Sequence, residues 1–183
     1  MRMITVKGYK KTGKTTTCVR IIEELTRRGY SVGSVKNTHF PGFAMDTPGT
    51  DSDRHAKAGA STVMVMAKEE TDVLFYRSVP FEELIGLYRE DYLVCEGDCG
   101  IAMANIITGK TTEDLDQRRD EHTIGFSGII AGAATENKTE AAMGNKTEAA
   151  TENMTEYAGL PVIDATTDVE RLVDLIEERS TEL

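Results

Sequence analysis

From Gly8 to Thr15 the chain reads Gly-Tyr-Lys-Lys-Thr-Gly-Lys-Thr, matching the spacing G-x-x-x-x-G-K-[ST] of a loop that cradles nucleotide phosphates. Each residue type has a reason. Glycines let backbone N–H groups turn toward an anion without a Cβ blocking its approach. Lys14 is placed to reach the β- and γ-phosphates, Thr15 to offer its hydroxyl to Mg²⁺, and a following helix adds its positive N-terminus. The expected nucleotide-binding residues are Gly8, Tyr9, Lys10, Lys11, Thr12, Gly13, Lys14, Thr15 and Thr16.

Such a loop needs a carboxylate beside it. The apolar run "DYLVCEG" ends in an acid, and ligands gather at the carboxyl ends of parallel strands, so Glu96 is the expected partner of the metal or of an orienting water. Lys14 and Glu96 are thus the candidate catalytic residues; for Glu96 the competing reading is a cap on the next turn. The long segment "NTHFPGFAMDTPGTDSDRH" carries two prolines and three aspartates, of which Asp46 and Asp51 are the ones expected to approach Mg²⁺ or nucleotide. The metal set is then Thr15, Asp46, Asp51 and Glu96.

Other candidates read as structural. His39 and His55 fit polar loop or helix positions. Cys95 and Cys99, in "CEGDC", lack the further ligands zinc normally takes, and Cys95 fits a buried strand position. A second Gly-Lys-Thr at Gly109, Lys110 and Thr111 has Ala104 where its first glycine should be, which makes it an ordinary strand-to-helix turn.

The elements that position these residues follow from periodicity. "RMITVKG" reads as a short buried strand before the loop. Behind it, Cys18, Ile21, Ile22 and Leu25 recur at helical spacing, and Gly29 supplies a stop. "YSVGSVKN", "STVMVMA", "DVLFYRS", "YLVCEG", "AMANIIT", "IGFSGIIA" and "LPVIDA" read as strands, the second and third as a possible antiparallel pair. Helices are expected over "DSDRHAKAGA", "PFEELIGLYR", "TEDLDQRRDEH" and "DVERLVDLIEE". Alternating strands and helices imply an α/β, P-loop NTPase-like fold, a mostly parallel sheet with helices on both faces.

With 183 residues the chain has the length of a single nucleotide-binding domain spanning 1–183. The net charge is −10, yet residues 1–37 hold nine Lys or Arg against two Glu, or +7, leaving −17 elsewhere. That distribution favours a small polyanion over nucleic acid as partner. No run is long and apolar enough to span a bilayer, and "MRMITVKGYKK" lacks the apolar core of a signal peptide, so a cytoplasmic protein without membrane partners is expected. Three cysteines fit a reducing compartment, with all three as thiols.

One segment breaks the alternation. "ENKTEAAM", "GNKTEAAT" and "ENMTEYAG" are tandem eight-residue units from Glu136 to Gly159. Eight residues advance a helix by about 80° beyond two turns, so the alanines cannot share a seam. A solvated, mobile insertion at about 136–159 with partial helical tendency is expected.

The combination of "GYKKTGKTT", "VKNTH…DTPGTDSDRHAKAGA" and "LVCEG" resembles the MobB family of molybdopterin guanine dinucleotide biosynthesis over residues 2–100. Gly8, Gly13, Lys14 and Thr15 match the family loop, Lys36, Thr38 and His39 its basic segment, Asp46, Pro48, Gly49, Asp51 and Ser52 its acidic turn, and Glu96 and Gly97 its later strand end. Asn37, Thr50 and the Asp98-Cys99 pair depart from the family pattern. The resemblance implies a dimer that binds and slowly hydrolyses GTP and works with a MobA nucleotidyltransferase joining GMP to molybdopterin. Guanine itself rests on this resemblance, because the N-K-x-D signature is absent. A small-molecule kinase on the same fold and a GTP-dependent metal-insertion protein stay open as alternatives.

Overall fold

Met3, Ile4, Thr5 and Val6 are buried together, and this run of mostly apolar, strand-forming residues builds strand β1 (Arg2–Gly8). The computed structural model describes residues 1–38, 40–132, 154–180 and 182. After β1 come helix α1 (Lys14–Arg27), β2 (Val32–Lys36), α2 (Asp51–Lys57), β3 (Thr62–Met66), β4 (Thr71–Phe75) and α3 (Phe81–Leu84). A 3-10 turn at Ile85–Leu87 follows, then β5 (Tyr92–Glu96), β6 (Asn105–Thr108), α4 (Thr112–Asp116) and β7 (Thr123–Ser127). The described chain ends with α5 (Ile129–Gly132), β8 (Glu156–Tyr157), β9 (Leu160–Pro161) and α6 (Val169–Arg179).

Five strands form one parallel sheet in the order β2-β5-β1-β6-β7. The register aligns Val6 with Glu96 and Lys36 with Glu96, so β1, β2 and β5 finish at one edge. Ile4, Val6, Val94 and Ile106 pack on Ile21 and Leu25 of α1 and on Leu172 and Ile176 of α6. Ile107, one residue along from Ile106, points the other way and meets Phe126, Leu115 of α4 and Ile130 of α5. Helices therefore cover both faces, as the alternation implies.

Glu24 and Arg28 fasten α1 to α6. Glu24 is 4% exposed and accepts from Arg27 Nε at 2.6 Å and from Arg28 Nε at 2.8 Å. Arg28 also donates to Asp174 at 2.7 Å, to Glu177 at 2.5 Å and to the Glu170 carbonyl at 2.9 Å.

By contact density the chain divides into two compact units, Met1–Asn37 with Arg89–Leu183, and Thr38–Tyr88. The first contains the parallel sheet. The second holds α2, α3 and an antiparallel β3–β4 pair, the pairing expected from "STVMVMA" and "DVLFYRS". Inside it, Thr50 caps α2 by accepting from the Asp53 N–H.

Several elements differ from the sequence reading. "IGFSGIIA" is a strand only to Ser127, because Gly128 takes φ 87° and starts a short helical turn. "LPVIDA" contributes two residues to a β8–β9 hairpin and one parallel bridge between Val162 and Phe126. "PFEELIGLYR" splits into α3 and the 3-10 turn, and "TEDLDQRRDEH" is helical only to Asp116. The repeat segment lies outside the described residues up to 153. Its last unit, however, ends inside the fold: Glu156 and Tyr157 pair with Pro161 and Leu160, and the Tyr157 ring sits edge-on to Phe126 at 5.8 Å.

Candidate functional site

Gly8 ends β1 where no side chain fits. Its φ is 151°, and a Cβ there would run into the carbonyl and hydroxyl of Thr108 and lie 2.8 Å from Thr12 Oγ1. Thr12 is pinned from two sides: its hydroxyl donates to the Tyr9 carbonyl at 2.8 Å and lies 2.8 Å from Thr108 Oγ1. From the start of α5, just past β7, the Ile129 N–H donates to the Thr12 carbonyl at 3.1 Å. The loop is thus shaped by β1, β6 and β7 together.

At the loop's end, Gly13 starts α1 without a side-chain cap, and the first turn carries no acid. The first N–H groups of a helix have no partner within it, so this end, with no acid in its own first turn, is suited to an anion. Lys14 Nζ donates to the Tyr9 carbonyl at 2.6 Å, which folds the ammonium back over the loop. Burial pushes the Lys14 ammonium below its ordinary value, with the Glu96 charge opposing. Tyr9 is held by its hydroxyl bond to Gln117 at 2.7 Å and by Arg118, stacked 4.3 Å from its ring centroid. Lys10, Lys11 and Thr16 complete the stretch, Lys11 with φ 61°.

Glu96 lies where the apolar run "YLVC" ends. Thr15 Oγ1 donates to Glu96 Oε1 at 2.7 Å, and Lys36 Nζ donates to both carboxylate oxygens at 2.9 Å. Burial works against the charged carboxylate, but the Lys36 and Thr15 hydrogen bonds and the charges of Lys36 and Lys14 hold its pKa below the usual value. A hydroxyl and an ionised carboxylate in contact form an oxygen donor set, the kind Mg²⁺ takes. The residues present fit that cation.

Asp46 and Asp51 belong to the second unit. Both oxygens of Asp46 are in use there, Oδ1 by Thr47 N, Thr50 Oγ1 and Ser52 Oγ, and Oδ2 by the Tyr76 hydroxyl at 2.7 Å. Asp51 opens α2 and pairs with Arg54 at 3.1 Å. His39 lies outside the described residues. Cys95 is fully buried in β5, and among the described residues no group of three or more His, Cys, Asp or Glu is arranged to hold a metal. Thr111 caps α4 by accepting from Asp114 N–H at 3.3 Å, so the second Gly-Lys-Thr is the strand-to-helix turn expected of it.

Two features escape the sequence. Lys36 is visible there as a basic residue, but its pairing with Glu96 follows only from the β2–β5 register. The brace from Thr108 and Ile129 onto Thr12 has no local signal at all.

A five-stranded parallel sheet with a phosphate-cradling loop between its central strand and first helix defines an α/β protein of the P-loop class. Within that class the model for MobB, molybdopterin guanine dinucleotide synthesis protein B, matches residues 3–122, and the chain belongs to this family. A probable molybdopterin-guanine dinucleotide biosynthesis adapter protein of Bacillus subtilis is 29% identical over 118 residues, 62% of this chain and 68% of that one. The Escherichia coli adapter protein of the same name is 32% identical over 85 residues, 46% of this chain and 47% of the relative. The crystal structure of Bacillus subtilis MobB superposes with a TM-score of 0.71 at 26% identity, covering both chains fully. A MobB homologue from Bacillus stearothermophilus shares the fold, with a TM-score of 0.62 at 19% identity over 96% of each chain.

Proposed function

We propose that this chain binds GTP with Mg²⁺ at Gly8 to Thr16, hydrolyses it slowly, and assists a MobA-like nucleotidyltransferase in attaching the guanine nucleotide to molybdopterin. The observation that carries the reading is the 2.7 Å bond from Thr15 to Glu96, which ties the end of the phosphate loop to the end of the adjacent strand. In this reading the loop amides and Lys14 hold the β- and γ-phosphates, while Thr15 and Glu96 hold the cation. A bound Mg²⁺ would neutralise part of the negative charge of the phosphates.

Turnover is slow for a physical reason. Glu96 already accepts from Lys36 and Thr15, which commits it to positioning and lowers its basicity toward a water. The protein would work as a homodimer in the cytoplasm, with the pterin cofactor and the transferase as partners.

Calorimetric titration of GTP, ATP and molybdopterin, each with and without Mg²⁺, tests the proposal. Preference for GTP and turnover roughly a hundredfold below the 1 to 100 per second of kinases are expected. Rapid ATP consumption stimulated by an acceptor would instead identify a kinase.

A further inference from the structure

Next to the phosphate loop lies a cavity of about 240 Å³, lined by Gly13 and Thr16, by Ser127 and Gly128 at the end of β7, and by Asp164 and Thr166 before α6. Gly13 and Thr16 also belong to the phosphate stretch, so a group entering this cavity lies within covalent reach of phosphates held at the loop.

Its polar lining is specific. Asp164 Oδ1 accepts from the Thr166 N–H at 2.8 Å and from the Thr166 hydroxyl at 2.7 Å, which fixes the carboxylate plane. Oδ2 accepts no hydrogen bond among the described residues, and the space beside it is kept open by Gly132, where a Cβ would lie 2.9 Å away. Ser127 is fully buried, and its hydroxyl has no hydrogen-bond partner among the described residues. Gly125, two residues earlier and so on the same face of β7, meets Leu175 of α6. The Ser127 side chain therefore lies on the side of the sheet covered by α1 and α6, where the cavity opens. A buried hydroxyl without a partner is a costly state that a ligand atom relieves.

We propose that this cavity is the base subsite of the bound nucleotide and that Asp164 selects guanine. The inference rests on the reading of the loop as a nucleotide site. An ionised carboxylate is an acceptor only, with about four lone-pair sites. Thr166 takes two of them, and the two left on Oδ2 match the adjacent N1–H and 2-amino donors of guanine. Adenine offers a ring acceptor and a carbon-bound hydrogen at the same edge, which sets acceptor against acceptor. Ser127 supplies a further hydrogen bond to the buried part of the ring. Base selectivity is thereby placed on a turn, without the N-K-x-D signature.

Competition binding of GDP, ADP, IDP and XDP to the full chain tests this. The unaltered chain should bind GDP about tenfold or more tighter than ADP or IDP, since each lacks donors that Asp164 accepts. Asp164→Asn should weaken GDP by roughly tenfold and strengthen XDP, because the new amide N–H can donate to the 2-oxo group of xanthine while losing one acceptor. Inorganic tripolyphosphate should bind both chains equally. Ser127→Ala, which removes an unpartnered hydroxyl, should keep or raise the melting temperature while weakening GDP severalfold. Binding of GDP by the unaltered chain with an unchanged base ranking in both variants would overturn the base subsite and leave the phosphate loop standing. Failure of the unaltered chain to bind any nucleotide would overturn the loop reading and this inference with it.

Discussion

Lys36 and Glu96 end neighbouring strands in register, and the lysine ammonium lies 2.9 Å from each oxygen of the carboxylate. The same ammonium is 3.5 Å from Thr15 Oγ1. A protein cation thus sits among the oxygens that suit Mg²⁺. Any metal ion arriving with a nucleotide competes with it, so the resting site is held together at low metal concentration.

Glu96→Gln should weaken GTP binding in Mg²⁺ about tenfold more than in a chelator, because the amide keeps the shape but loses the charge. Lys36→Met should lower the Mg²⁺ concentration needed for half-maximal GTP binding. Calorimetry across a metal series reads both effects. Equal losses with and without metal would make Glu96 a structural carboxylate.

Lys14→Ala should cost roughly a hundredfold in triphosphate affinity, the range of charged hydrogen bonds lost to one substitution. Its ammonium bonds only the Tyr9 carbonyl among the hydrogen bonds described, so the thermal midpoint should barely move. Retained affinity in a folded variant would remove the loop from the nucleotide site.

Acid should loosen the α1–α6 junction through Glu24. The Arg27 hydrogen bonds first, and the one from Arg28 next, hold its carboxyl down to about 2 from an ordinary 4.5. A carboxylate with a depressed folded pKa contributes its full stability above the unfolded value and loses it as pH falls toward the folded one. The urea midpoints of the unaltered chain and Glu24→Gln should therefore differ most near neutrality and converge between about pH 4.5 and pH 2. A constant gap across that window would mean that Glu24 titrates like a free side chain.

Local patterns carried much of this architecture. Cys18, Ile21 and Leu25 recur at helical spacing and do face the sheet. Glu96 could be found because an apolar strand that ends in an acid leaves the acid at the edge where ligands bind. The Lys36 to Glu96 contact spans 60 residues and depends on which strands pair, a tertiary fact that neither segment contains. Ile129 to Ala131 misread as strand because a short apolar run does not distinguish strand from buried helix. Asp164 stayed hidden for a related reason: "LPVIDA" looks like one strand, whereas the chain turns at Asp164, whose carbonyl accepts from Thr167 N at 3.2 Å and Asp168 N at 2.8 Å.

Gly128 links the end of β7 to the phosphate loop, and its substitution separates bracing from general strain. Its φ is 87°, and a Cβ there would run into the Thr12 carbonyl and lie 2.9 Å from Thr108 Cβ. The Thr12 carbonyl is the acceptor of the Ile129 N–H at 3.1 Å, so Gly128→Ala must either lengthen that bond or push the loop outward. A destabilisation of about 1 to 3 kcal/mol is expected from the strained backbone and the clash together. Gly29→Ala provides the comparison, since Gly29 has φ 93° with nothing within 4 Å of a Cβ and meets only the backbone term. Nucleotide affinity should fall in Gly128→Ala and hold in Gly29→Ala, even after urea midpoints are matched by temperature. Equal affinities would show that the loop keeps its shape without β7, and that Thr108 alone suffices to hold Thr12.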